Sequence, residues 1–260
     1  MTPTQIAEVF KTHWKPGWGS VAADEAEYIQ RQIATHKPKS FVEIGMASGL
    51  SAGLIARFMD ENEGERLVTV DHDDTFFGDK NKKNGFLIEA IYPGGRVAVS
   101  KMPFKTALDI PSVGGTFEMA FVDANHQHPW PIIDTLCLHP FMTGSRICIH
   151  HDLNLFLNQE IVFGIGPKYL YDQFPARHRD RSDANSGNIF LVSLDVSREE
   201  IARIAASAFS LPWSLRTPIQ EVYVTRIRSM LREYHEPWLS EVFDRCLKKF
   251  NILDRFRSGL

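Results

Sequence analysis

Two periods of apolar residues run along the chain, and the change from one to the other sets out its elements. In residues 1–39 the spacing is helical. Ile6, Val9 and Phe10 share one stripe, the chain breaks at Lys15-Pro16-Gly17-Trp18-Gly19, and a second helix over 22–36 carries Tyr28, Ile29 and Ile33 on one face. Trp14 and Trp18 flank the break and either anchor this segment in a core or form part of a flap over a pocket. From Phe41 onward, short apolar runs of strand length alternate with helical stripes. The runs at 41–45, 67–71, 96–100, 117–123, 146–150 and 189–194 predict strands. Between them, 50–59, 85–91, 104–110 and 132–138 predict helices, and 198–209 is amphipathic. Several runs are apolar at consecutive positions, as strands covered on both faces should be. The succession implies an α/β fold, a doubly wound, Rossmann-like and mostly parallel sheet with helices on both faces.

The remaining stretches are additions to that sheet. Residues 158–174 read as partly helical, and 177–187 as a charged loop. Near the end, Ile219, Val222, Tyr223, Ile227, Met230, Leu231 and Tyr234 form one apolar stripe. Trp238, Leu239, Val242, Phe243, Cys246, Leu247 and Phe250 form another. Stripes this broad must pack on the domain or on a second subunit of a homodimer. The expected organisation is a helical N-terminal segment at 1–39, the sheet domain at 40–195 and C-terminal helices at 196–260.

Composition narrows the setting. With 43% hydrophobic and 23% charged residues, the 260-residue chain has the balance of a soluble globular protein. A net charge of −3 and the absence of a basic stripe argue against nucleic acid as a partner. No apolar run approaches the ~20 residues that span a bilayer. Cys137, Cys148 and Cys246 are few, and two lie in apolar runs, which suits buried free thiols. With no basic-then-apolar leader, the expected location is cytoplasmic.

The candidate chemistry lies at the ends of the predicted strands. The first runs into Glu43-x-Gly45-x-x-x-Gly49, a strand–glycine turn–helix device of the kind that forms the ligand-facing lip of open α/β sheets. Ser48 or Ser51 is placed to cap the following helix. Ala47 stands where a dinucleotide fingerprint needs its second glycine, which argues against close approach of a pyrophosphate. Glu43 suits a ligand carrying an ammonium group. The second strand ends in Asp71, followed by His72, Asp73 and Asp74, and a carboxylate at that tip can accept both hydroxyls of a ribose. The fourth ends in Asp123-Ala124-Asn125-His126-Gln127-His128 and the fifth in His150-His151-Asp152. Two carboxylates and several imidazoles at central strand tips make a candidate divalent-metal site.

The glycine turn resembles motif I of the class I S-adenosylmethionine-dependent methyltransferases. The Asp123 segment and the His-Asp ending resemble the methyltransferase 24 type of O-methyltransferase, related to metal-dependent catechol-like enzymes, over roughly residues 21–194. The resemblance implies S-adenosylmethionine as cofactor, held by Glu43, the turn Gly45-Met46-Ala47-Ser48-Gly49, Asp71, His72 and Asp123. It implies a divalent metal, Mg or similar, on Asp123, His151 and Asp152, with His150 replacing His151 if the register shifts by one. His126 falls where the catechol-like relatives place a catalytic lysine, so Asp123 and His126 are the implied catalytic pair. The segment Ser100-Lys101-Met102-Pro103 lacks the family's acidic adenine contact, and Met102 is expected to pack on the ring instead. The implied activity is O-methylation of a small hydroxylated molecule, with metal assistance and no membrane partner. The competing readings are an NAD(P)-dependent oxidoreductase on a related sheet and a non-catalytic cofactor-binding protein.

Overall fold

Seven strands share one sheet in the computed structural model, which describes residues 1–18, 21–158, 163–183 and 187–251. They are β1 (Ser40–Ile44), β2 (Arg66–Asp71), β3 (Ala98–Pro103), β4 (Phe117–Val122), β5 (Met142–His150), β6 (Arg179–Arg181) and β7 (Phe190–Ser193). Their spatial order is 3-2-1-4-5-7-6. The first five are parallel; β7 runs antiparallel to both β5 and β6.

The helices are α1 (Pro3–His13), α2 (Ala23–His36), α3 (Leu50–Glu61), α4 (Ile88–Ile91), α5 (Ile110–Val113), α6 (Trp130–Leu138), α7 (Gly166–Gln173), α8 (Arg198–Phe209), α9 (Glu221–Tyr234) and α10 (Pro237–Phe250). Successive strand residues point to opposite faces, so each apolar strand serves two cores. Phe41, Leu67, Met119 and Phe121 pack with Ile29, Ile33 and Phe58 of α2 and α3. Val42, Val70, Ala120 and Cys148 pack on the other face with Leu136, Phe209, Ile227 and Phe243 of α6, α8, α9 and α10.

Register places the site. Ile44 lies opposite Val70 and Val122, and Val122 opposite His150, so the carboxyl tips of β2, β1, β4 and β5 end at one level. The sheet is wound in opposite senses from β1 and β4. The α3 helix covers one face and α6 the other, which opens a crevice above those tips.

Several expectations shift. The charged stretch at 177–187 holds β6, a short edge strand whose exposed Asp180 and Arg181 hide its character from an apolarity search. The helix at 85–91 contracts to α4, and 104–110 becomes a 3₁₀ turn at Ala107–Asp109 running into α5. In 158–174 the described helix is α7, and 159–162 lie outside the described residues, as do 184–186 of the charged stretch and Gly19 of the N-terminal break. Most of each C-terminal stripe is covered by the domain itself, with Ile227, Leu231, Leu239 and Phe243 in its core, whereas Val222 and Trp238 are exposed. Trp18 packs edge-on against Phe76 and Phe86, each at 5.4 Å, whereas Trp14 is exposed. All three cysteines are buried free thiols. Among the described residues no helix is long and apolar enough to cross a membrane.

Candidate functional site

The glycine turn is built by its backbone. Gly45 has φ +99°, and a Cβ there would collide with the carbonyl of Asp123 on the neighbouring strand. Gly49, at φ +84°, is the N-cap of α3 and lies against Gly85 and Ile88, so neither serine takes the cap position. Ser48 accepts a long 3.4 Å bond from the Leu50 amide, while Ser51 is drawn to Glu43. The amides of Met46 and Ala47 both donate to one oxygen of Asp71 at 3.0 Å, and the Asp73 amide donates to the other at 3.0 Å. Asp71 thus ties the β2 tip to the turn. Burial works against its charge, but these bonds and His72 hold its carboxyl below the usual value. His72 is raised in return by its bond to Asp71.

Glu43 does not face the crevice. It is fully buried between the sheet and α3, where Ser51 Oγ donates to it at 2.6 Å and Thr69 Oγ1 donates to its other oxygen. Burial pushes its carboxyl up to about 8. Its strand position explains this: Glu43 shares the face of Phe41, which packs under α3. The expected direct contact with an ammonium group is therefore corrected to support of the turn from behind. Met46, Ser48 and Met102 also stay off the cavity wall. Met46 and Ser48 are buried, and Met102 packs against the core below.

A cavity of about 550 Å³ lies over the strand tips, within the usual size for small-ligand sites. Gly45, Ala47, Asp71 and His72 line one part, Asp123 and His126 another. In the second part His126 Nε2 is 3.2 Å from Asp123 Oδ1 and 3.1 Å from Asp152 Oδ2. Burial disfavours charge on this imidazole, but the two carboxylates outweigh it and raise its pKa. Asp152 is aimed by a left-handed backbone (φ +62°) and by the Asn188 amide, which donates to it at 2.9 Å.

His151 is placed differently from expectation. Its Nε2 meets Glu25 of α2 at 2.9 Å, and its Nδ1 meets Asp123 at 3.2 Å. Burial opposes charge at all three groups. Even so, the mutual interactions hold Glu25 and Asp123 below the usual carboxylate range and His151 well above the usual imidazole value. His151 is thus a buried imidazolium between two carboxylates. His150 points into the opposite core, stacked on Phe190 at 5.2 Å and beside Thr135, and burial depresses it to about 3. The register is settled in favour of 151 on the site's side of the sheet. The donors that converge, all within 4.8 Å of one another, are Asp123, His126 and Asp152. The expected ligand His151 also reaches both carboxylates, its Nδ1 lying 3.5 Å from Asp152 Oδ1 as well as near Asp123, but its Nε2 is held by Glu25, whereas His126 is the imidazole on the cavity wall.

Two of these residues escape a reading of the strand tips alone. Glu25 lies 126 positions from its partner, and its one signal is that it falls on the buried stripe of Tyr28 and Ile29. Asn188 belongs to the approach to β7 and carries no pattern.

Comparison with known proteins adds to this geometry. Residues 42–153 match a family model described as a methyltransferase domain, of the methyltransferase 24 type. The chain is similar in fold to the O-methyltransferase TomG from Streptomyces achromogenes, involved in tomaymycin synthesis and solved with S-adenosylmethionine. Identity is 18% and TM-score 0.52, covering 74% of this chain and 89% of that one. It is also similar to the S-adenosylhomocysteine-bound methyltransferase PaMTH1 from Podospora anserina, at 17% identity and TM-score 0.50, over 74% and 86% of the two chains. No curated protein matches the sequence.

Proposed function

We propose that the chain is a class I S-adenosylmethionine-dependent methyltransferase, a reading supported by the match of residues 42–153 to a methyltransferase domain, and that it methylates a hydroxyl of a small molecule with the help of a divalent cation. The observation that carries this reading is the convergence of Asp123, His126 and Asp152 on the cavity, beside the glycine turn. The oxidoreductase and non-catalytic readings give way to it.

S-adenosylmethionine supplies an already activated sulfonium methyl group. The residues fit its nucleoside end. Asp71 is ionised and lies on the cavity wall beside His72, where a ribose hydroxyl can take the place of the His72 contact. With Glu43 turned away, Asp123 is the carboxylate available to the ammonium end. Orientation by these contacts accounts for much of the work, since alignment of reactants alone contributes ~7–11 kcal/mol.

The cation set also fits. Two carboxylates and one imidazole suit a first-row transition ion such as Mn²⁺ better than Mg²⁺, which prefers oxygen alone. Such an ion lowers the pKa of a hydroxyl and orients it. His126 Nε2 faces both carboxylates, so the ligand role supersedes the base role for that nitrogen. The same atom holds a proton when no cation is there, and a ligand imidazole must give it up.

The test is a titration of the metal-free protein with Mn²⁺ between pH 6 and 9. The raised pKa of His126 predicts proton release on binding and an affinity that climbs with pH through this range. A pH-independent affinity, or full methyl transfer in excess chelator, would remove the cation from the account.

A further inference from the structure

Asp134 is a buried carboxyl. It lies on α6, one helical turn inward from Trp130, and is only 7% exposed. It makes no hydrogen bond or ion pair with any described residue, and what remains of its surface lines the cavity. Burial pushes it up to about 7 against the pull of His126. A polar group removed from water without a partner weakens the fold, so buried carboxyls are normally paired. The carboxylate of the neighbouring 3₁₀ turn is already paired. Asp109 takes Arg226 at 2.9 Å, and the Thr106 amide donates to Asp109 at 2.8 Å.

The position of Asp134 in the cavity says what it awaits. On the reading above, the sugar lies at Asp71 and the sulfur toward Asp123. The base attached to that sugar then continues toward β3, where the wall is made by Ala107 and Leu108. The turn holding those two residues packs against α6. Trp130 and Tyr223, edge to face at 5.9 Å, line the same slot with aromatic surface against which a ring can pack. The segment after β3 offers this slot no carboxylate of its own, because Asp109 is already paired. We propose that Asp134 reads the amino edge of the adenine ring of S-adenosylmethionine, supplying from α6 the carboxyl contact that the segment after β3 lacks. A carboxyl there accepts from the exocyclic amine and, when protonated, donates to the adjacent ring nitrogen.

The inference rests on the methyltransferase reading, and calorimetry separates the two. The full chain is titrated with S-adenosylhomocysteine and with its 6-deamino counterpart, which carries hydrogen in place of the exocyclic amine, as wild type, Asp134→Leu and Asp134→Ala. Wild type is expected to prefer the adenine compound by about tenfold or more, because a site built for a hydrogen bond rejects the ligand lacking it. Asp134→Leu should lose about tenfold for the adenine compound and bring the two ligands within about twofold of each other. Its unliganded melting temperature should be at least that of wild type, since it removes an unpaired buried carboxyl. Asp134→Ala, which also lacks the acceptor, should show the same loss of preference. That variant decides the matter if the leucine one does not fold. Unchanged affinity and discrimination in the variants, with an effect only on the acceptor KM, would overturn the proposal while leaving the methyltransferase intact. No binding of either compound by wild type would overturn both.

Discussion

Glu25→Ala removes one end of the buried chain Glu25–His151–Asp123 and leaves the Nε2 side of the imidazolium without its carboxylate, with Asp123 and Asp152 facing only Nδ1. Glu25 is 2% and His151 7% exposed, so neither group regains water when the other is lost. Breaking a buried pair of this kind costs about 3–5 kcal/mol. At ~2–4 °C per kcal/mol for a chain of this size, the melting temperature should fall by roughly 10 °C. The pH dependence identifies the cause. Glu25 is depressed in the fold, so its contribution is present above its ordinary 4.5 and fades as pH falls through the lower folded value. His151 is raised, so its contribution is complete below its ordinary 6.5 and fades as pH climbs through the higher folded value. The gap between wild type and variant should therefore be widest between pH 4.5 and 6.5. Urea denaturation of both proteins at pH 4, 5.5, 7 and 9 measures it. Glu25 also accepts the Ala22 amide at 2.6 Å, as a helix-capping side chain. A loss of about 1 kcal/mol that stays flat across pH would mean that the cap is all it supplies, and would refute the buried ion pair.

Glu43→Gln tests the corrected role of that carboxyl. Its folded value of about 8 exceeds the ordinary 4.5, so the unfolded chain sheds the proton first and wild type loses stability from pH 4.5 up to about 8. The glutamine variant should gain on wild type across that interval and be the more stable at pH 8; a gain that shrinks with rising pH in chemical denaturation would contradict the buried, protonated acid. At the turn, Gly45→Ala forces a collision with the Asp123 carbonyl and should abolish S-adenosylhomocysteine binding in calorimetry. Gly114→Ala, also at positive φ but with open space around it, should cost about 1–3 kcal/mol of stability and leave binding intact. Equal effects from the two would deny the turn its place against β4.

What was legible in the sequence follows from what each signal depends on. Strands β1, β2, β4, β5 and β7 carry apolar residues toward two cores, so their runs stand out, and their aligned ends put Asp71, Asp123 and Asp152 in one region. The edge strand β6 has no second core to serve, and its arginines and aspartate read as a loop. Glu43 stands at the motif's spacing, but strand parity, which the spacing does not carry, sends it under α3 with Phe41. That His126 rather than His151 lies on the cavity wall turns on two things invisible along the chain. One is the left-handed backbone of Asp152; the other is an acid on α2 that claims His151. Asp134 sits in a helix that reads as uniformly apolar core, and its meaning appears only with the cavity beside it.

Anomalous diffraction from crystals grown with Mn²⁺ and S-adenosylhomocysteine tests the central claim most directly. The account predicts one strong peak bounded by Asp123, His126 and Asp152, with the nucleoside's sugar on Asp71 and His151 still joined to Glu25. A map without that peak, or with His151 released from Glu25 to serve as a ligand, would contradict it.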